Sequence, residues 1–379
     1  MKYIYPVLAA LLLTGCVKSH SVEFTGTTPG INNGVFIVKT IADSTIYGEN
    51  IKNGTFKVNK KVLQYPGYYL FNITDNDHTD SRAPFEIYLE PGSYHIETQL
   101  GKLYEYPKVT SASKIQDELS AFYTLSDKLI VDAKRQTDSL NNAVKNKSNG
   151  LSKTAFASLL NELATSENKM ADVSALAFKQ FVKEHPNSLA SAHLMAKLNY
   201  QEDPLTYYTI YKTLTPAAQN TDDGKEVGDK LKQLVKLVEG AKAPQIYGKM
   251  PDGKAFDPKS VNKPLILIDF WRASNDFSRQ NHKKLITLLE DGKNSKSLAI
   301  ISISLDTKAD WWTTAVAEDN MTWTQVSDLK GDDSPNAANW SISELPTYYL
   351  LNSDWKIVKR NIDIGNIDFE LSNYLSKHH

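Results

Sequence analysis

Hydrophobic and polar positions alternate in three different ways along this chain, and each way predicts a different architecture. Between about Ser21 and Gln99, short runs rich in β-branched and aromatic residues (35–40, 55–58, 68–73, 85–89 and 94–98) are separated by turn pairs. These pairs are Pro29-Gly30, Asn33-Gly34, Asn53-Gly54, Pro66-Gly67 and Pro91-Gly92. Runs of that length between Gly and Pro punctuation predict an antiparallel β-sandwich. From about Ser111 to Glu239 the period lengthens. Leu119, Phe122, Tyr123 and Leu129, then Leu159, Leu160 and Leu163, then Leu231, Leu234, Val235 and Val238 recur at helical spacing, with breaks at Asn149-Gly150, His185-Pro186, Asp203-Pro204 and Thr215-Pro216. A helical middle domain follows from this pattern.

The third pattern is an unbroken apolar run around Asp269, residues 265–271, bounded upstream by Lys263-Pro264 and downstream by polar residues. Such a run predicts a strand buried on both faces. Leu285, Leu288 and Leu289 then repeat as a helix, so the intervening turn is a strand handing over to a helix N-terminus, a place suited to activating a side chain. The passage Glu239-Gly240-Ala241-Lys242-Ala243-Pro244 reads as the entry to this last domain. The expected layout is therefore a leader at 1–15, a β-sandwich at 16–105, a helical domain at 106–240 and an α/β domain at 241–379.

Composition narrows the function classes. With 41% hydrophobic and 23% charged residues the chain has ordinary globular content, and its formal net charge of -1 provides no field for drawing in nucleic acid. Eight histidines include no pair at helical i,i+3 or i,i+4 spacing, and no Gly-rich phosphate loop is present, so neither a metal nor a cofactor is expected.

Asp269-Phe270-Trp271, seven further residues and Arg279 resemble the Asp-Phe-Trp-Ala-Ser-Trp-Cys-x-x-Cys-Arg signature of the TlpA/ResA-like thioredoxin-fold proteins of bacterial envelopes. Ser302-Ile303-Ser304-Leu305-Asp306, then Trp311, Met321 and Trp323, resemble that family's second central strand and insert helix, and Leu345-Pro346-Thr347 resembles its cis-proline loop. The resemblance spans about Ala243 to Lys377 and implies a thioredoxin-like mixed sheet flanked by helices. Counted from Trp271, the two family cysteines fall on Asn275 and Ser278, so both thiols are absent. Asp269 matches the family's buried acid. The order of elements further upstream is similar to Bacteroides-type lipoproteins, in which a β domain of unknown function precedes a thioredoxin-like domain.

The N-terminus carries Lys2, an apolar run from Tyr3 to Leu13, and Leu13-Thr14-Gly15-Cys16. A charged start, an apolar stretch too short to span a bilayer and small residues before a cysteine make a secretory signal. Its end resembles a lipobox, which implies cleavage before Cys16 and acylation there, hence a membrane anchor. Cys16 is the only cysteine, so acylation would leave no thiol for exchange. Residues 17–21 lack an acidic cluster resembling the surface-export signal of Bacteroides-type lipoproteins, and the resemblance therefore implies an outer-membrane anchor facing the periplasm.

The candidate residues can be read on their own chemistry. A carboxylate inside a buried strand needs a hydrogen bond or a proton, and Ser278 or Thr347 is the expected partner of Asp269. Asn275 suits an N-cap. Serine at position 278 would need a nearby base to act as a nucleophile, and His282, one turn on, is expected on the solvent face. Trp271, Phe277 and Trp340 either surround the edge formed by Leu345, Pro346 and Thr347, giving a surface for an extended apolar polypeptide, or pack the helix onto the sheet. The leading expectation is a lipid-anchored envelope protein whose thioredoxin-like domain is redox-inactive and binds a protein or peptide. Two alternatives stand beside it: oxidoreductase chemistry through an external thiol, and a scaffold whose contacts lie on the β domain.

Overall fold

A computed structural model describes residues 20–77, 84–147, 150–290 and 294–378. The leader and Cys16 lie outside the described residues. The chain divides into two compact units: one runs to Leu198 and takes in Leu214–Ala218, and the other holds Asn199–Thr213 and the chain from Gln219 on.

The first unit begins with eight strands: β1 (Ser21–Thr27), β2 (Asn33–Lys39), β3 (Thr45–Lys52), β4 (Thr55–Val62), β5 (Gly67–Asp75), β6 (Phe85–Leu89), β7 (Gly92–Glu97) and β8 (Lys108–Thr110). They form one continuous sheet in the order β6-β5-β2-β3-β4-β1-β7-β8, where two separate antiparallel sheets were expected. The reason lies at the β3–β4 hairpin. Those two strands pair only at Lys52↔Thr55, so the sheet opens there and turns its two halves toward one another. Phe24 on β1 meets Phe36 on β2 at 5.3 Å although two strands separate them in the sheet, and Phe36 stacks on Phe56 at 4.3 Å. A second departure is that β1 pairs with β7 in parallel.

Helices α1 (Lys114–Lys147), α2 (Lys153–Ala171), α3 (Val173–Glu184) and α4 (Ala190–Ala196) belong to this same unit. Tyr123 of α1 stacks on Tyr106 and donates to the buried Glu86 carboxylate at 3.0 Å. His193 and Lys197 reach the same carboxylate at 3.1 and 2.7 Å. Burial works against ionisation of Glu86, but its interactions with His193 and Lys197 outweigh it and hold the group below the usual carboxylate range. Helices α5 (Pro204–Thr213) and α7 (Asp222–Leu234) belong to the second unit, with the short α6 (Pro216–Gln219) between them. The helices expected as a middle domain are thus divided between two units: α1 packs on the sheet at β6 and β8, and α2 and α3 pack on α1.

The second unit continues with β9 (Leu265–Trp271), α8 (Asp276–Glu290), α9 (Asn294–Ser297), β10 (Leu298–Ser304), α10 (Ala309–Glu318), β11 (Thr324–Ser327), α11 (Pro335–Asn339), β12 (Thr347–Asn352), β13 (Ile357–Arg360) and α12 (Ile367–Lys377). Its five-stranded sheet has the order β11-β10-β9-β12-β13, with β9, β10 and β11 parallel and β12 and β13 antiparallel. Every residue of β9 is buried, as expected of a central strand covered on both faces. Helical crossovers joining the parallel strands, then an antiparallel pair behind a cis Leu345–Pro346 bond, define a thioredoxin-like fold.

Candidate functional site

The carboxyl end of β9 hands over to α8 through Arg272–Asn275, and several bonds fix this turn. Asp306 accepts from the Ala273 amide at 3.0 and 3.2 Å and from the Ser304 hydroxyl at 2.8 Å. Arg272 donates to the Leu305 carbonyl at 2.9 Å and to Asp332 at 2.6 Å. Asn275 then does two things at once. Its side-chain Oδ1 accepts from the Ser278 backbone N–H at 2.8 Å, capping α8, and its side-chain Nδ2 donates to the Leu345 carbonyl at 3.3 Å. The first turn of α8 is thereby tied to the residue before Pro346.

Beneath that turn lies a buried polar cluster that the sequence reading did not assemble. Ser278, His282 and Leu285 form the inner stripe of α8 and are all fully enclosed. The expectation that His282 faces solvent is therefore wrong. Its ring stands edge-on to Trp271 at 4.7 Å between two acids, with Nδ1 2.7 Å from Asp319 and Nε2 3.8 Å from Asp269. An ionised carboxylate can only accept, so Nδ1 carries the hydrogen shared with Asp319. Asp319 ends α10 and also receives a two-pronged contact from Arg279, whose Nη2 lies 2.7 Å from Oδ1 and whose Nε meets Oδ2. Burial pushes the Asp319 carboxyl up, but hydrogen bonds from Arg279 and His282 outweigh this and hold it below the usual range.

Asp269 also has a partner other than the expected ones. Ser302, directly opposite on β10, donates its hydroxyl to Oδ2 at 2.6 Å and accepts from the Trp323 indole at 2.8 Å. Ser278 cannot take that role because its hydroxyl makes no hydrogen bond among the described residues, and the Thr347 hydroxyl is committed to the Glu344 carbonyl at 2.6 Å. Burial pushes the Asp269 carboxyl up to about 6, against the opposing pull of His282 and Ser302.

This shift fixes the sign of a pH effect. The unfolded chain releases the proton near pH 4 while the folded chain keeps it to about pH 6, so the group lowers stability as pH rises through that window. Replacing Asp269 by Asn should remove a penalty on the order of 2 to 3 kcal/mol above pH 6 and have little effect near pH 4. Melting curves of both proteins from pH 4 to 8 check this. A mutant less stable than wild type at pH 8 would show the acid ionised and well paired.

The aromatic surface around the Leu345 edge is smaller than expected. Trp271 and Trp340 are fully buried: Trp271 packs with Trp312, Ala315 and Met321 on one side of the sheet, and Trp340 packs with Phe270 and Tyr349 on the other. Phe277 is 71% exposed on the first turn of α8, and Leu345 and Pro346 are half-buried. Thr347 is buried as the first residue of β12. Among the described residues no group of three or more His, Cys, Asp or Glu is placed to hold a metal ion, and no helix is long and apolar enough to cross a membrane.

No family model and no curated protein matches the sequence. Solved structures do resemble part of it. A thiol-disulfide oxidoreductase from Bacteroides fragilis is 29% identical over 36% of this chain and 99% of its own, with a TM-score of 0.32. The thioredoxin domain of a thiol-disulfide oxidoreductase from Bacteroides vulgatus is 26% identical over 38% of this chain and 98% of its own, with a TM-score of 0.33. A thioredoxin-like protein from Bacteroides caccae is 15% identical over 55% of this chain and 83% of its own, with a TM-score of 0.45. The fold assignment rests on the strand order and connections described above.

Proposed function

We propose that this is a lipid-anchored envelope protein, held at Cys16, whose thioredoxin-like unit binds an extended polypeptide beside Leu345 without exchanging disulfides. The observation that carries the reading is Phe277. It is the exposed aromatic of a turn whose tryptophan is buried, and the Asn275 bond to the Leu345 carbonyl brings that turn alongside a backbone edge. An apolar side chain next to backbone donors and acceptors suits strand addition. The Bacteroides fragilis and Bacteroides vulgatus structures are described as thiol-disulfide oxidoreductases, but a chain with one cysteine cannot form an internal disulfide.

Reduced, carboxymethylated lactalbumin, an unfolded protein with blocked thiols, is a suitable probe. Wild type should bind it, and Phe277→Ala should weaken binding at least about tenfold, the effect of removing a buried phenyl ring from the contact. Lys283→Ala, on the outer face of α8, should leave binding unchanged. Equal affinity in wild type and Phe277→Ala would overturn the assignment of this edge.

A further inference from the structure

The described sheet of the first unit leaves five large apolar side chains exposed: Ile41, Ile46, Val62, Tyr65 and Tyr104. Four of them lie at one end. β2 runs toward that end and turns through Ile41 into β3, where Ile46 stands next to Tyr47, whose hydroxyl donates to the Val62 carbonyl at 2.7 Å. β4 finishes at the same end with Val62, 75% exposed, and leads into the loop holding Tyr65, 60% exposed. Tyr104 follows β7 and lies at the opposite end.

The chain also enters the sheet at this end. Ser21, the first residue of β1, pairs with Val62, and the His20 carbonyl accepts from the Leu63 amide at 2.9 Å. Four residue steps separate His20 from Cys16, and a fully extended chain covers at most about 14 Å in that number. An acyl group on Cys16 therefore keeps His20, where the chain enters this end of the sheet, within about 14 Å of the bilayer, roughly twice the depth of one headgroup layer.

We infer that Ile41, Ile46, Val62 and Tyr65 form a membrane-contact patch that seats the sheet on the lipid surface beside its anchor. The inference rests on the lipid-anchored reading above. Charge does not drive the contact: Lys39, Lys60 and Lys61 at this end are matched by Glu23, Asp43 and Glu90, and Lys39 is already paired with Asp43 at 2.9 Å. Aliphatic and tyrosine side chains suit the boundary between acyl chains and headgroups, and the exposed Lys60 and Lys61 can extend toward phosphates. The contact should accordingly form on zwitterionic lipid and withstand salt.

The test uses the mature acylated protein in phosphatidylcholine vesicles, with one thiol introduced at a time for a fluorescent label. Acylated Cys16 does not react. For Val62→Cys and Tyr65→Cys, quenching by a water-soluble quencher should fall at least about twofold on vesicle binding, because the interface shields side chains seated in it. Tyr104→Cys should not change. A protein that floats with vesicles but is quenched equally at all three positions overturns the patch and leaves the anchor standing. A protein that does not float overturns the anchor, and shielding that appears only when a protein extract is added assigns the patch to a protein partner and overturns the inference.

Discussion

Replacing Asp319 by Ala should destabilise the second unit by about 3 kcal/mol at pH 7, the size expected when one member of a largely buried charge cluster is removed. Asp319 is the common partner of Arg279 and His282, and its loss leaves the buried Nδ1 hydrogen of His282 without its acceptor. Arg279 is partly exposed and retains Glu318 at 2.9 Å, so it adds less to the loss than the histidine does. Asp319→Asn keeps one acceptor oxygen and should cost about half as much. All six tryptophans lie between Trp271 and Trp355, so tryptophan fluorescence during denaturation reports on this unit alone. Asp319→Ala indistinguishable from wild type would mean that the cluster is not what fixes α8 to the end of α10.

Asp319 and Asp269 also respond to pH in opposite directions. Asp319 has a lowered folded pKa, so the stability it contributes is present above its ordinary range near 4 and is lost as pH falls through the folded value. Asp269 has a raised one, and its penalty grows as pH rises to about 6. One histidine ring stands between the two acids, so the double replacement should deviate from additivity.

The sequence exposed the framework of the second unit because a doubly covered strand is legible as an uninterrupted apolar run, and residues 265–271 are such a run. The helix breaks at Asn149-Gly150, Asp203-Pro204 and Thr215-Pro216 were equally plain, since α2, α5 and α6 begin at or just beyond them. Strand β3 was not legible. It contains Gly48, Glu49 and Asn50, and its buried residues Tyr47 and Ile51 stand four apart, so the alternation that marks a half-buried strand is missing. Which helices seal the sheet was equally hidden, because that depends on contacts between segments far apart in sequence.

The site was half legible. The spacing from Trp271 pointed to Asn275 and Ser278, and counting back from Leu285 by three and seven places His282 and Ser278 on the stripe that faces the sheet. That signal was available, but the polar character of histidine concealed it. Asp319 had no local signature: it reaches His282 from 37 residues away, and only the tertiary fold brings them together. For Trp271 and Trp340 the sequence left edge and core equally open, since large aromatics suit both, and the structure places them in the core.

On the proposed reading, Asn275 and Ser278 stand where TlpA/ResA-like proteins, which this chain resembles, carry two thiols. They are the cap and third residue of α8, joined by a 2.8 Å bond, one half-buried and one fully enclosed. Backbones three residues apart in a helical turn lie about 5 to 6 Å from one another, within bridging range, and a helix N-terminus favours the thiolate. The direct measurement is thiol titration of the protein carrying Asn275→Cys and Ser278→Cys, before and after mild oxidation, with wild type alongside in an insulin-reduction assay. The double mutant should form one reducible intramolecular disulfide, and wild type should show no reductase activity. Two thiols that stay free after oxidation, or thiol exchange by the wild-type protein, would contradict this reading.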